Sequence, residues 1–215
     1  VFEEILRESI TMKREQIRPA SANGLRVSRY TVPGRISAGG GINTVLSPEG
    51  AVPWMMKGIL GRVESSETAP GVYDHVFSPL HAQSLPSFTI QTNIEDISQA
   101  WIGCTFSGMS LVVVKNRLPA MNMSLLAQRP GEPSATTGPV FTDTAPFPAH
   151  GFSFTLNGME NLKFENFTLN IRNNIEVVYT LNGKRYCHKH HAGGLDVSGS
   201  ITLEFETEAE RRRLW

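Results

Sequence analysis

The stretch DVSGSITLEFE, residues 196–206, alternates without a break. Val197, Gly199, Ile201, Leu203 and Phe205 fall on one side, and Asp196, Ser198, Ser200, Thr202, Glu204 and Glu206 fall on the other. Successive side chains of a strand point to opposite faces, so the pattern predicts a strand with one dry face and one wet face. The wet face could look at bulk water, at a ligand, or at another copy of the same chain.

The bulk properties narrow that choice. The chain has 215 residues, 40% of them apolar, with 11 Phe. That is enough to bury a sizeable core, and it excludes a disordered chain. Lys plus Arg equals Asp plus Glu at 20 each, a formal net charge of zero. A dedicated nucleic-acid binder carries a basic excess, so this balance argues against one. It also removes the repulsion that keeps copies apart, and so permits self-association. Two cysteines, Cys104 and Cys187, make no disulfide framework and read as free thiols. The sequons at Asn122 and Asn166 sit inside expected strands and read as chance. No apolar run reaches the length of a membrane span, and no secretory signal is visible. Val1 and Trp215 are not taken as true ends.

Outward from 196–206 the chain reads as more strands. They are expected at 25–32, 35–46, 72–78, 87–93, 99–106, 109–116, 120–128, 152–158, 162–173 and 175–183. Pro33-Gly34 reads as a turn, and Gly39, Gly40 and Gly41 as a bulge or a close backbone approach. One helix is expected in SPEGAVPWMMKGILG, residues 47–61, with Pro53 near its proper start and Gly61 just past its end. Residues 62–70 read as a polar loop, and the Pro/Gly/Thr-rich stretch 129–150 as a long loop or insertion. Residues 1–22 read as an extended arm and 207–215 as a tail, all within a single domain. A weak repeat at an offset of 58 lays Phe106 on Phe164, Ser110 on Thr168, Leu111 on Leu169 and Asn116 on Asn174, suggesting two similar hairpin halves. The fold class expected is mainly β: a β-sandwich or partial barrel of two packed antiparallel sheets with one flanking helix.

No catalytic constellation emerges. CHKHH, residues 187–191, offers His188, His190 and His191 as metal candidates. Tetrahedral zinc needs four ligands converging from separate segments, and no second Cys/His cluster exists, so no metal is expected. AGGGIN, residues 38–43, lacks the spacing of a phosphate loop. Glu95 and Asp96 are adjacent and point apart, unlike paired catalytic carboxylates. Trp54, Trp101 and Phe106 read as core or subunit contacts rather than a sugar-stacking platform. Neither enzyme activity nor a cofactor is expected.

The order of segments carries a resemblance. SPEGAVPWMMKGILG, then GVYDHVFSP, LPSFTIQTNI and WIGCTFSGMSLVV, is similar to the tail tube (major tail) proteins of long non-contractile phage tails and gene transfer agents. ENFTLNIRNNIE and DVSGSITLEFE resemble the later strands of the same family. The likeness covers roughly residues 25–210 and departs at 129–150, while Val1–Ala22 matches poorly.

The resemblance implies a structural subunit of a siphophage-like virion tail. Six copies would close into a ring, rings would stack into a hollow tube, and each subunit would lend strands to an inner barrel. The implied partners are further copies of the chain, a tape-measure protein, a tail terminator and tail-tip proteins. DNA would be transiting cargo only, and no membrane is involved. Channel-facing candidates are Ser198, Ser200, Thr202 and Glu204. Trp54, Ile59 and Leu60 are candidates for helix packing or subunit contact. Gly39, Gly40, Gly41, Pro130, Gly138 and Pro139 are candidates for inter-ring loops within 34–46, 62–70 and 129–150. The rival readings are the tube of a contractile secretion system, a monomeric sugar-binding sandwich using Trp101 or Trp54, and a metal-dependent enzyme using the histidines.

Overall fold

The computed structural model describes residues 5–18, 30–81, 84–94, 97–134, 144–155, 163–204 and 208. Its strands are β1 (Arg7–Glu8), β2 (Thr11–Ile17), β3 (Val32–Val45), β4 (Gly61–Ala69), β5 (Val72–Pro79), β6 (Phe88–Ile94), β7 (Ile97–Val114), β8 (Ala120–Ala127), β9 (Arg129–Gly131), β10 (Phe164–Arg172), β11 (Glu176–Val178), β12 (Lys189–His191) and β13 (Asp196–Leu203). The helix α1 spans Val52–Leu60. The molecule is mainly β, with antiparallel sheets, a single α-helix among the described residues and no closed barrel.

The principal sheet runs β1-β3-β8-β7-β10-β13, with β2 also on the outer side of β3. β7 is its spine. Its C-terminal half pairs with β8 and β10, and its N-terminal half with β6 and β9. Two irregularities allow one strand to serve both groups. Residues 102 and 103 oppose a single residue of β6, and Gly103 takes φ 67°, a conformation open chiefly to glycine. A second register shift falls between Phe106 and Gly108. Bulges of this kind bend and twist a strand, so β7 turns between the two groups.

The helix begins where proline allows. Pro53 lies in its first turn, where a missing N–H breaks no helical bond, and Gly61 closes it at φ 96°. Its buried face, Val52, Met55 and Ile59, lies over the dry face of the principal sheet. There it meets Phe106, Met109, Met121, Met123 and Leu125. Asn173 locks this layer to the sheet. Its Nδ2 donates to Ile59 O at 2.9 Å and to Phe106 O at 3.1 Å. Ile59 O belongs to the last turn of the helix, where carbonyls have no onward helical partner, and Phe106 O lies beside the β7 bulge.

Several expectations need correction. Pro33 and Gly34 lie inside β3 and make no turn. Pro33 sits before β3 meets β8, so its missing N–H can face an open side. Gly39, Gly40 and Gly41 are mid-strand, all three paired with β8 and Gly39 also with Thr11 of β2, while Ser9 N donates to Gly41 O, and they form no loop. The close approach expected of them is present: a Cβ on Gly40 would come within 2.6 Å of Ile10 Cα. Residues 62–70 lie almost wholly in β4, which pairs with β5 as a hairpin. The strands expected at 99–106 and 109–116 are one strand, β7. Residues 175–183 yield only the short β11, and 152–155 form no strand. Strand 25–32 falls largely outside the described residues, as do Glu95, Asp96, Gly138, Pro139, Phe205 and Glu206. The repeat superposes Leu111 on Leu169, which are register partners in the adjacent antiparallel strands β7 and β10, and each of these strands pairs on its other side with a later one, β8 or β13. Its end is real as well: Asn116 at φ 62° and Asn174 at φ 42° both close their strands in the left-handed region.

Asn173→Ala strands two carbonyls at the junction of helix and sheet. The expected loss is about 2–4 kcal/mol, since an unsatisfied buried acceptor costs about 1–3 kcal/mol. Urea unfolding of the variant checks it. Gly40→Ala is expected to destabilise as well, because the added methyl meets backbone that cannot move without breaking the β2–β3 pairing.

Candidate functional surface

Register turns the alternation of single strands into faces. Ile42, Met123, Met109, Ile171 and Val197 form one row across β3, β8, β7, β10 and β13. Thr44, Met121, Leu111, Leu169 and Gly199 form the next. These rows belong to the dry face under α1. One residue along, the composition inverts. Asn43, Asn122, Ser110, Asn170 and Ser198 make a row on the opposite face. Val45, Ala120, Val112, Thr168 and Ser200 follow it, and then Val114, Asn166 and Thr202.

These three rows are a band of amides, hydroxyls and small apolar groups without a charge, while the next row of the face, Gly41, Ser124, Gly108, Arg172 and Asp196, carries two. Strands about 4.8 Å apart make five strands about 20 Å wide. Charges stand around its rim. Arg7 extends the amide row on β1, and Arg172 faces Asp196 at the lower end. Beyond them come exposed Lys13 and the Arg35–Glu15 pair at 2.9 Å. Both partners of that pair are well exposed, so it adds little to stability. The channel candidates Ser198, Ser200 and Thr202 are exposed on this face, and exposed Glu204 follows at its upper end. The wider Asn/Ser row escaped strand-by-strand reading, although its signal was present in MNMS, 121–124, where Asn122 and Ser124 alternate with buried Met121 and Met123.

The margins of the sheet are open among the described residues. β13 pairs only with β10, and β2 only with β3. The dry row ends at Val197, which is 58% exposed. The β4–β5 hairpin is a separate two-stranded sheet with Val72, Tyr73 and Val76 exposed. Such a ribbon is marginal in water without a further partner.

The other candidates fall in different places. Trp54 is 49% exposed on the outer side of α1, with Lys57 Nζ 5.5 Å from its ring centre. Ile59 is fully buried within its own subunit, so it packs the helix and offers nothing to a neighbour, while Leu60 is half-buried against the same core. Trp101 and Phe106 are buried, which removes Trp101 as a sugar platform. Pro130 lies in β9, opposite Trp101.

The histidines do not converge. Among the described residues no three His, Cys, Asp or Glu side chains are placed to hold a metal. His190 turns inward instead. Its Nε2 lies 3.4 Å from Cys187 Sγ and its Nδ1 lies 3.1 Å from Thr105 Oγ1. A nucleophilic pair would need a thiolate beside an imidazolium. Burial pushes the Cys187 thiol up and the His190 imidazole down, so both stay neutral. The Cys104 thiol is pushed up to about 12 by burial and is equally inert.

Among the described residues the principal sheet thus has one packed face, one polar face and open margins. The family model described as phage tail tube protein matches residues 5–214. The chain therefore belongs to the phage tail tube protein family, a structural family whose members build the tube of a virion tail. No curated protein matches the chain. Within the described residues no helix is long and apolar enough to cross a membrane.

The buried imidazole sets a pH dependence. An unfolded histidine titrates near pH 6.5, and His190 in the fold titrates lower. Below about pH 6.5 the unfolded chain takes up a proton that the folded chain refuses, so stability falls with pH until the folded value is passed. The urea midpoint is expected to drop between pH 7.5 and 5.5, and to drop less in His190→Gln.

Proposed function

We propose that this chain is the subunit of a hollow tail tube in which six copies close a ring and rings stack head to tail. DNA crosses the bore during ejection, and a tape-measure protein occupies it during assembly. The tail is that of a siphophage or a gene transfer agent, completed by terminator and tip proteins and assembled in the host cytoplasm. The observation that carries this reading is the principal sheet, packed on one face, polar on the other and, among the described residues, unpaired at both margins.

The strand directions support a rotational seam. From β2 through β3, β8, β7 and β10 to β13 every neighbour is antiparallel. Six alternating strands leave β2 and β13 running in opposite senses. A rotated copy therefore brings its β2 antiparallel to β13, and the alternation continues without a fault. Closing the ring pairs both open margins of the principal sheet, the surest protection for an exposed strand edge. It also covers Val197.

Stacking uses a different surface. A head-to-tail contact does not close on itself and so makes a filament. The β4–β5 hairpin, with its exposed Val72, Tyr73 and Val76, is the proposed inter-ring arm, together with the part of 129–150 that follows β9. Trp54 is a further proposed contact. The stretch 34–46 drops out of this role because its backbone is already paired within the subunit.

Val197→Lys separates folding from assembly. Val197 is already exposed, so subunit stability is expected to change by no more than about 0.5 kcal/mol. Long tubes in negative-stain micrographs are expected from the unmodified protein and not from the variant. If the variant polymerises normally, the seam does not run past Val197. Replacing residues 62–78 by a short turn is expected to leave folded subunits that form rings without stacks. Wild-type-like tubes from that variant would remove the hairpin from the stacking contact.

A further inference from the structure

We infer that Trp54 of one copy seats in a hollow at the far end of α1 on the next copy, where its indole N–H meets the amide oxygen of Asn173. The inference rests on the tube reading and deepens it by naming one pair of surfaces through which copies meet. The hollow holds about 430 Å³ and is walled by Leu60, Pro79, Leu80, Leu85 and Leu195. Leu80 and Leu195 are 39% and 37% exposed, so this apolar wall stands open. Asn173 is a polar point within it. That residue is 4% exposed, and both hydrogens of its Nδ2 are spent on Ile59 O and Phe106 O. Among the described residues nothing donates to its Oδ1, which leaves that oxygen for an occupant. A buried acceptor is costly to leave unmet, so the fitting occupant is an apolar body carrying one hydrogen-bond donor.

Trp54 has that chemistry. It is 49% exposed, and its ring meets Lys57 Nζ at 5.5 Å. Among the described residues no acceptor takes its indole N–H. A tryptophan joins a large apolar surface to a single polar edge, which makes it a favoured anchor between proteins. It does not reach the hollow of its own subunit. Trp54 and Leu60 are six residues apart in α1, which sets them about 9 Å apart along the axis and about 120° apart around it. They stand on opposite flanks of the buried stripe of Val52, Met55 and Ile59, so the knob points away from its own hole. One such contact leaves a free hole on one copy and a free knob on the other. It therefore repeats from copy to copy, as a heterologous contact must in a ring or a filament.

The test measures the lowest concentration of the full chain at which rings or tubes sediment, with negative-stain micrographs of the pellet. It compares wild type, Trp54→Ala, Trp54→Phe, Leu195→Ala and the double variant Trp54→Ala/Leu195→Ala. Urea midpoints of the unassembled subunits give the folding check, and Trp54→Ala is expected to keep the wild-type midpoint because Trp54 is an exposed side chain. Trp54→Ala is expected to raise the assembly concentration at least about tenfold. Trp54→Phe, which keeps a ring and loses the N–H, is expected to fall between the two. Leu195→Ala is expected to raise the concentration in the wild-type background and to add almost nothing to Trp54→Ala, since both act on one contact. Assembly of Trp54→Ala at the wild-type concentration would overturn the inference and leave the hollow to some other ligand. Additive losses in the double variant would overturn it too, because the two sites would then act apart. Absence of rings and tubes from the wild-type chain would overturn the tube reading itself, and the inference with it.

Discussion

Everything in this molecule depends on one register. Leu111 stands opposite both Leu169 and Met121, and from that match every neighbouring strand places its apolar residues on the same side. A slip of one residue anywhere among β3, β8, β7, β10 and β13 would carry methionines to water and asparagines to the core. The match is held by burial on the dry side, where Met121, Met123 and Leu125 are almost wholly enclosed. The wet side exerts no such force, because an amide gains as much from water as from a neighbour. The polar face is therefore specified by its reverse.

The helix makes that specification firm. α1 covers the middle of the dry face and stops short of the margin, where Val197 is left open. Gly58 permits the close seat: a Cβ there would come within 2.8 Å of Phe106 Cε2 and 2.9 Å of Phe88 Cε2. In an exposed helix Ala would be favoured over Gly by about 1 kcal/mol. Here the clash with two packed rings outweighs that gain, since overpacking a core costs about 1–3 kcal/mol. Stability is thus concentrated in the layer between α1, β7 and β8, while β13 and the β4–β5 hairpin are held mainly by backbone pairing.

The sequence was legible where burial writes a pattern. Residues 196–203 alternate because one face is apolar, and Pro53 and Gly61 mark the helix because backbone geometry restricts what stands there. It was illegible where pairing occurs without burial. GRVESSETA forms β4 with almost no core contact, so nothing in its composition separates it from a loop. At Ser107-Gly108 a bulge breaks the period of two, and one long strand reads as a pair. The glycines at 39–41 announced a close approach, yet their partner, the turn of chain at Ser9–Ile10, lies about thirty residues away and could not be named from local signals. The neutral face lay hidden for the same reason, since alternation fixes which side a residue takes but not which residue stands beside it.

The same edges that need partners must also refuse the wrong ones. If two copies of β13 paired antiparallel with each other, Asp196 of each would approach Glu204 of the other. Two copies of β2 centred on Arg14 would instead set Lys13 against Glu15 twice, so charge does not oppose that pairing. Like charges opposed across a ladder are destabilising, and opposite charges contribute roughly 0.2–1 kcal/mol. In the ring proposed above, the Asp196 and Glu204 ends of β13 meet a margin that carries Arg7, Lys13 and Arg14. Charge thus disfavours the two-fold pairing of β13 with itself and favours the heterologous seam proposed above.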